Sequence, residues 1–317
     1  MPMLSPLLRV GLACLLLAYF AGSGCSLRHY ALNKAADALA QSGSTFSSDD
    51  DPQLIKAAAP FSLKLMESFL AENPRHQGLL AAAASGFTQY AYAFVQEEAD
   101  EVEPADLAAA EALRTRARRL YLRAQRYGLR GLEVKHPGFE KTLLANPRAA
   151  VRTATKSDVP LLYWTAAAWG SAIALSKDNP QMVGQIPSME ALIDRALALN
   201  ESYGNGSIHT FLISYEMIRP GLADEQAARA RKHFQRAMAL SQGTDASPLV
   251  ALAEAVTIQT QEVKEFESLL NRALAIDADA NPDIRLQNLV MQHRARWLLS
   301  RKAELFLVEE PANVPSE

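Results

Sequence analysis

Cysteine is nearly absent from the chain, which has only Cys14 and Cys25 in 317 residues. Cys14 falls in a segment that we expect to be removed, so a single thiol remains and an internal disulfide framework is excluded. Glycine and proline are also few, at 15 and 16, which suits close-packed helices. A formal net charge of −3 gives no electrostatic case for binding nucleic acid.

The motifs of common enzymes are missing as well. The sequence has no glycine-rich phosphate loop, no Gly-x-Ser-x-Gly elbow and no His-Glu-x-x-His helix. Its six histidines stand singly, without the spacing of metal ligands. They are His29, His76, His136, His209, His233 and His293. We therefore expect no catalytic residues, no metal and no cofactor, and we predict that the protein is not an enzyme.

What the chain does have is a recurring phrase, Arg-Ala-x-Ala followed by Leu or Ile. It occurs at Arg195–Leu199, Arg236–Leu240 and Arg272–Ile276. The alanines after the arginine, Ala196, Ala237 and Ala273, lie 41 and then 36 residues apart. A fainter copy places Ala124 72 residues before Ala196, which is about two repeats. This spacing is typical of stacked helical hairpins.

The context of the phrase resembles the second helix of a tetratricopeptide repeat. Small and large residues recur there at helical spacing, so that they share one face. Two such sets are Ala230, Phe234 and Ala237, and Phe266, Leu270 and Ala273. No strand-like alternation is sustained anywhere. We predict an all-α fold, a tetratricopeptide-like helical-hairpin solenoid with about four hairpins plus extra flanking helices.

Prolines after capping residues mark the expected helix starts. The clearest is Asp51-Pro52, preceded by two further aspartates. Three carboxylates in a row could also suggest a cation site, but a helix cap accounts for them better. Further starts are expected at Glu103-Pro104, Asp158-Val-Pro160, Ser247-Pro248 and Asn281-Pro282. The predicted helices span 52–71, 77–100, 104–130, 160–177, 187–200, 206–218, 223–241, 248–261, 262–276 and 282–307.

The N-terminus has the pattern of an export signal. One positive side chain, Arg9, precedes an apolar run from Val10 to Ala21 that is too short to span a membrane. Small residues then lead to Cys25, as in a bacterial lipobox, although that pattern prefers leucine where Gly22 stands. An ordinary cleaved signal with a free cysteine is the alternative.

We therefore predict a lipoprotein signal peptide over 1–24 and a tether over 25–45, acylated at Cys25 with palmitate among the expected chains. The solenoid is expected over 46–308 and a disordered tail over 309–317. Ser26 is compatible with sorting to the outer membrane. The predicted location is the periplasm, with lipid chains as the sole membrane attachment.

Large side chains are concentrated on the first helix of each predicted pair, which lines the concave surface in such solenoids. The candidate ligand-binding residues are Tyr90, Phe94, Trp164, Trp169, His209 and Tyr215. Trp164 and Trp169 are five apart, about 140° around a helix, so one is expected in the core and the other in the groove. For each aromatic the alternative is ordinary core packing. A cavity lined by several would suit a partly apolar ligand.

Several phrases together resemble the TatT family, the T component of tripartite ATP-independent periplasmic (TRAP) transporters. They are Phe46–Pro52, Gly86–Val95, Glu98–Asp100, Tyr127–Leu132, Leu162–Gly170, Ile208–Glu216 and Arg294–Leu299. The resemblance implies a periplasmic homotrimer that docks the transporter's substrate-binding P component. It also implies an internal cavity that holds or passes a hydrophobic or organic-acid ligand. The alternative is an envelope-assembly scaffold that binds protein partners only.

Overall fold

The computed structural model describes residues 33–41, 43–219 and 223–307, except for the side chains of 223 and 224. The predicted leader, Cys25 and the tail beyond 308 lie outside these ranges. Within them every regular element is a helix, which confirms the all-α prediction. Assignment to a tetratricopeptide-like solenoid stays a prediction.

The helices follow one another with short connections. They are α1 (33–41), α2 (Gly43–Ser47), α3 (Pro52–Glu72), α4 (Gln77–Ala91), α5 (Glu97–Val102), α6 (Leu107–Lys135), α7 (Phe139–Ala145), α8 (Pro147–Ala150), α9 (Val159–Ala174), α10 (Pro180–Val183), α11 (Ile186–Leu199), α12 (Ser207–Glu216), α13 (Ala223–Leu240), α14 (Ser247–Leu252), α15 (Val263–Leu274), α16 (Arg285–Ser300) and α17 (Lys302–Leu305). Two π-helical turns, Tyr92–Gln96 and Ala253–Thr257, extend α4 and α14.

The predicted cap of α3 is confirmed. The Asp51 carboxylate accepts hydrogen bonds from the backbone amides of Gln53 and Leu54, at 2.9 and 3.0 Å. Asp49 accepts from the amide of Asp51 at 2.8 Å. Two of the three aspartates therefore bind backbone amides where a helix leaves its first donors unpaired.

The predicted bounds of α6 are wrong at both ends. Pro104 lies in the turn before the helix, and Asp106 is the cap, accepting from the amide of Ala109 at 2.9 Å. The helix also runs through Gly128 and Gly131 instead of ending near 130. At Gly128 a Cβ would lie 1.9 Å from Thr165 Oγ1. These glycines therefore permit close contact between α6 and α9 and do not terminate the helix.

The longer helices pack in two layers. One layer contains α4, α9, α12 and α14, which are neighbours in that order. The other contains α6, α11, α13 and α15, each packed against the first layer. The repeated alanines Ala124, Ala196, Ala237 and Ala273 are fully buried in the second layer. The phrase that recurs in the sequence therefore marks positions where helices approach closely.

The C-terminal helix α16 returns to the beginning of the chain. It contacts α2 and α3 as well as α14 and α15. Arg285 donates to the backbone carbonyl of Ser48 at 3.0 Å. Leu286 packs against both the N-terminal and the C-terminal hydrophobic cores. Because α16 joins the two ends, the row of helices closes on itself.

No helix in the described ranges combines the length and the hydropathy needed to cross a bilayer. Within the predicted tether, α1 is helical and buries Ala36 against the N-terminal core.

Candidate functional site

The helices of the first layer share a stripe that their neighbours leave uncovered. Its side chains recur every three or four residues, are half-buried or exposed, and are mostly small or hydroxylated. They are Ala82, Ser85, Gln89, Tyr92 and Ala93 on α4 and its π turn; Pro160, Trp164, Ser171 and Ala174 on α9; Ser207, Thr210, Phe211, Ser214 and Ile218 at α12; and Ser247, Ala251, Glu254, Ala255 and Ile258 on α14 and beyond. At one end of the row Tyr92 and Ala93 pack against the C-terminal core, and at the other end α14 contacts α16, so the two ends of the row meet. We call this surface the inner face.

The two predicted tryptophans lie in different places. Trp169 is 1% exposed and donates from Nε1 to Gln185 Oε1 at 2.9 Å. Trp164 is half-buried on the inner face and donates to the Tyr203 hydroxyl at 3.1 Å. Its ring meets that of Tyr163 edge-on, with centroids 4.8 Å apart. Of this pair, Trp169 therefore belongs to the core and Trp164 lies at the inner face.

Tyr90 and Phe94 lie in the N-terminal core, 7% and 9% exposed. Their ring centroids are 5.7 Å apart. Arg116 donates to the Tyr90 hydroxyl at 3.4 Å, from the side of α6 rather than the inner face. The structure thus groups these two residues together and separates them from Trp164.

Tyr215 and His209 are buried on the side of α12 that faces the second layer. Tyr215 donates to Glu190 Oε1 at 2.8 Å and stacks on Phe211, with centroids 5.9 Å apart. His209 Nδ1 lies 2.8 Å from Nδ1 of His233, so one imidazole donates and the other accepts. The six predicted residues therefore do not converge on one site.

The His209–His233 pair is held uncharged by its surroundings. Burial lowers the pKa of both imidazoles, and the His209 charge further lowers that of His233, to about 4. Glu201 opposes the shift at His209 and Glu216 at His233, while Arg236 and Arg219 reinforce it. The pair is therefore neutral at physiological pH.

We expect the free energy of unfolding to fall by on the order of 2–3 kcal/mol as the pH drops from about 6.5 to about 4. The unfolded histidine binds a proton near its ordinary pKa of 6.5, whereas folded His233 does so only near pH 4. Urea unfolding from pH 4 to 8 measures this, and His233→Gln should flatten the profile. His293→Gln, whose side chain is 61% exposed, is the control. An unchanged profile in the His233 variant would contradict the prediction.

Charged groups from distant segments converge where α5, the second π turn and α16 meet. Arg294 is 5% exposed; its Nη2 lies 2.9 Å from Asp100 Oδ2, and it also forms an ion pair with Glu254. Its guanidinium lies over the Trp297 ring, 4.3 Å from the centroid. We call Tyr92, Glu97, Asp100, Glu254 and Arg294 the Arg294 cluster. Its members come from three segments of the chain.

Both π turns lie at this cluster. A π turn accommodates an extra residue in a helix and is frequent at functional sites. The first turn contains Tyr92 and directly precedes Glu97, while the second contains Glu254. Tyr92 and Glu254 belong to the first and the last helix of the inner face, so the cluster connects the two ends of its row.

The cluster contains polar atoms without partners. Glu97 is 3% exposed, and its Oε1 has no hydrogen bond; Arg294 Nη1 is equally buried and unpaired. Burial, with Glu254, Glu101 and Asp100 nearby, raises the pKa of Glu97 well above its ordinary value despite Arg294. Burial, together with Glu97 and Glu254, raises the pKa of the Tyr92 hydroxyl. Burial therefore favours the neutral acid form of Glu97.

Prediction from sequence missed this cluster, although two of the phrases behind the family resemblance contain Asp100 and Arg294. The signal available in the sequence was a charged residue among apolar residues at helical spacing. Nothing local indicated that Glu254 would meet them, because 154 positions separate Asp100 from Glu254.

Comparison with known proteins identifies the family of the chain. A family model for the TRAP transporter T-component matches residues 48–306. An uncharacterised protein of Treponema pallidum (strain Nichols) is 28% identical over 313 residues, covering 93% of this chain and 95% of the relative. The family is one of transporter components rather than enzymes, and such a component is consistent with a location in the cell envelope. The chain belongs to the TRAP transporter T-component family.

Proposed function

We propose that the protein is a lipid-anchored periplasmic accessory of a TRAP transporter. It docks the substrate-binding P component and holds or passes a hydrophobic or organic-acid ligand. The observation that carries this proposal is the family match over 48–306. The anchor is acylated Cys25, with the outer membrane as the proposed location.

The inner face supports the ligand-binding part of the proposal. Most of its side chains are small, and Trp164 supplies a half-buried aromatic surface with its indole nitrogen already paired. Aromatic side chains beside a few placed polar groups are typical of small-molecule sites. Tyr90, Phe94, Trp169, His209 and Tyr215 are buried, and in this proposal they support the ligand-binding surface from the core.

The outer surface of α3 supports assembly into a homotrimer. Leu54, Phe61 and Leu65 follow one another at helical spacing and are 56%, 73% and 36% exposed. They lie on a different side of α3 from Leu63 and Met66, which pack into the core. An exposed apolar stripe of this kind is typical of a protein interface.

Native mass spectrometry of the mature chain with a P component from the same organism tests the proposal. We expect a complex of three copies with bound P component and a copurifying small molecule. Trp164→Ala should lose most of the small molecule and keep the P component, because the indole lies on the inner face. Leu144→Ala removes a side chain that is 59% exposed and lies outside that face, and should retain both.

Two results would contradict the proposal in different ways. A monomer with neither P component nor small molecule would exclude a transport role. A complex with other envelope proteins and no small molecule would favour the envelope-assembly scaffold.

A further inference from the structure

Carboxylates outnumber guanidinium groups at the Arg294 cluster and its neighbour Arg114. Asp100 contacts two guanidinium groups, Arg294 at 2.9 Å and Arg114 at 3.4 Å. Glu254 is the second carboxylate on Arg294. Arg114 also holds Glu103 and Glu111, so no positive charge is left over. A ligand anion at this point would meet uncompensated carboxylates. A ligand ammonium has no hydrogen-bond acceptor, so it could not pair with the unpaired Nη1 donor of Arg294.

The cluster offers a ligand one hydrogen-bond donor and two groups that can both donate and accept. Arg294 Nη1 can only donate. The unpaired Oε1 of Glu97 can accept, and the carboxyl can also donate in the neutral form that burial favours. The hydroxyl of Tyr92 can both donate and accept. Tyr92 is half-buried and packs against both the N-terminal and the C-terminal hydrophobic cores. Glu254 is also reachable, with 34% of its side chain exposed.

We infer that the Arg294 cluster binds an uncharged polar head group that both donates and accepts a hydrogen bond, such as an alcohol or a carboxamide. The apolar body of the same molecule lies along the inner face. This inference rests on the proposed function and narrows the class of ligand that it names. Of hydrophobic and organic-acid ligands, ionised organic acids are excluded from this site. Buried polar atoms left unpaired cost free energy, so a matching head group stabilises the site as it binds.

Three probes of equal chain length test the inference: octanamide, octanoate and octylamine. At pH 8 the second is an anion and the third a cation. Calorimetric titration of the mature chain should give octanamide a dissociation constant at least tenfold lower than that of either ion. Tighter binding of octanoate or octylamine, or no binding of any probe, would overturn the inference.

A charge-removing variant separates a binding role from a structural one. Glu254→Gln keeps the shape of the side chain and removes one negative charge, so octanoate should bind at least tenfold more tightly than to the parent protein. The matched control is Glu265→Gln, which also pairs with an arginine and is 35% exposed, but lies on α15. The control should leave all three affinities unchanged. Equal losses for every probe in Glu254→Gln would indicate a structural role and refute the inference.

The complex with the P component is measured in the same samples. If that complex forms while octanamide is not preferred, the head-group inference fails and the proposed function stands. If octanamide is preferred and no complex forms, the proposed function fails instead.

Discussion

Replacing Trp169 with alanine is expected to lower the free energy of unfolding by about 4 kcal/mol. The ring is 1% exposed and belongs to the core formed by α6, α9, α11 and α12. Removing the ring leaves a cavity that the packed helices cannot close. The side-chain carbonyl of Gln185, which accepts from the indole at 2.9 Å, also loses its donor. Urea unfolding followed by circular dichroism measures the loss.

The same truncation at Trp164 is the control, because that side chain is half-buried on the same helix. We expect it to cost about 1–2 kcal/mol, since less apolar area leaves contact with the protein. Equal losses at the two positions would show that both rings serve the core, and would remove Trp164 as a ligand contact.

Arg294→Met is expected to lower the free energy of unfolding by about 3–4 kcal/mol. Without the guanidinium, Asp100 and Glu254 face each other and Glu97 with only Arg114 nearby. The charged carboxylates then lose the hydrogen bonds that offset their desolvation. Thermal and urea unfolding at pH 7 measure the effect.

A double variant tests whether the loss comes from unpaired charge. Adding Glu254→Gln to Arg294→Met should restore part of the stability, because one of the uncompensated carboxylates is gone. Arg231→Met is the control: this arginine pairs with Glu262 and Glu265 but is 32% exposed, and its loss should cost less than 1 kcal/mol. A double variant less stable than Arg294→Met alone would contradict this explanation.

The sequence was informative where the physical signal is local. Helical periodicity indicated the all-α fold, and the Asp51-Pro52 pair located a helix start because capping involves only adjacent residues. The separation of five between Trp164 and Trp169 also correctly indicated two environments, since helix geometry is fixed.

The missed features depend on contacts between distant segments. Gly128 looks like a helix end in sequence, and only the approach of Thr165 shows why glycine is needed within the helix. The π turns do not clearly change the spacing of apolar residues in the sequence. The Arg294 cluster requires the end of α4, the end of α14 and α16 to meet, and residue spacing contains no information about that meeting.

The return of α16 to the N-terminal helices has a consequence for how the molecule folds. In an open repeat array each unit contacts only its neighbours, so the ends can unfold independently and units can be added or deleted. Here Arg285 donates a hydrogen bond to the carbonyl of Ser48, which lies 237 positions earlier in the sequence. Contacts between residues so far apart in sequence slow folding, and they couple the N-terminal helices to the C-terminal helix. The chain should therefore unfold cooperatively, and removal of a single helical hairpin should not be tolerated.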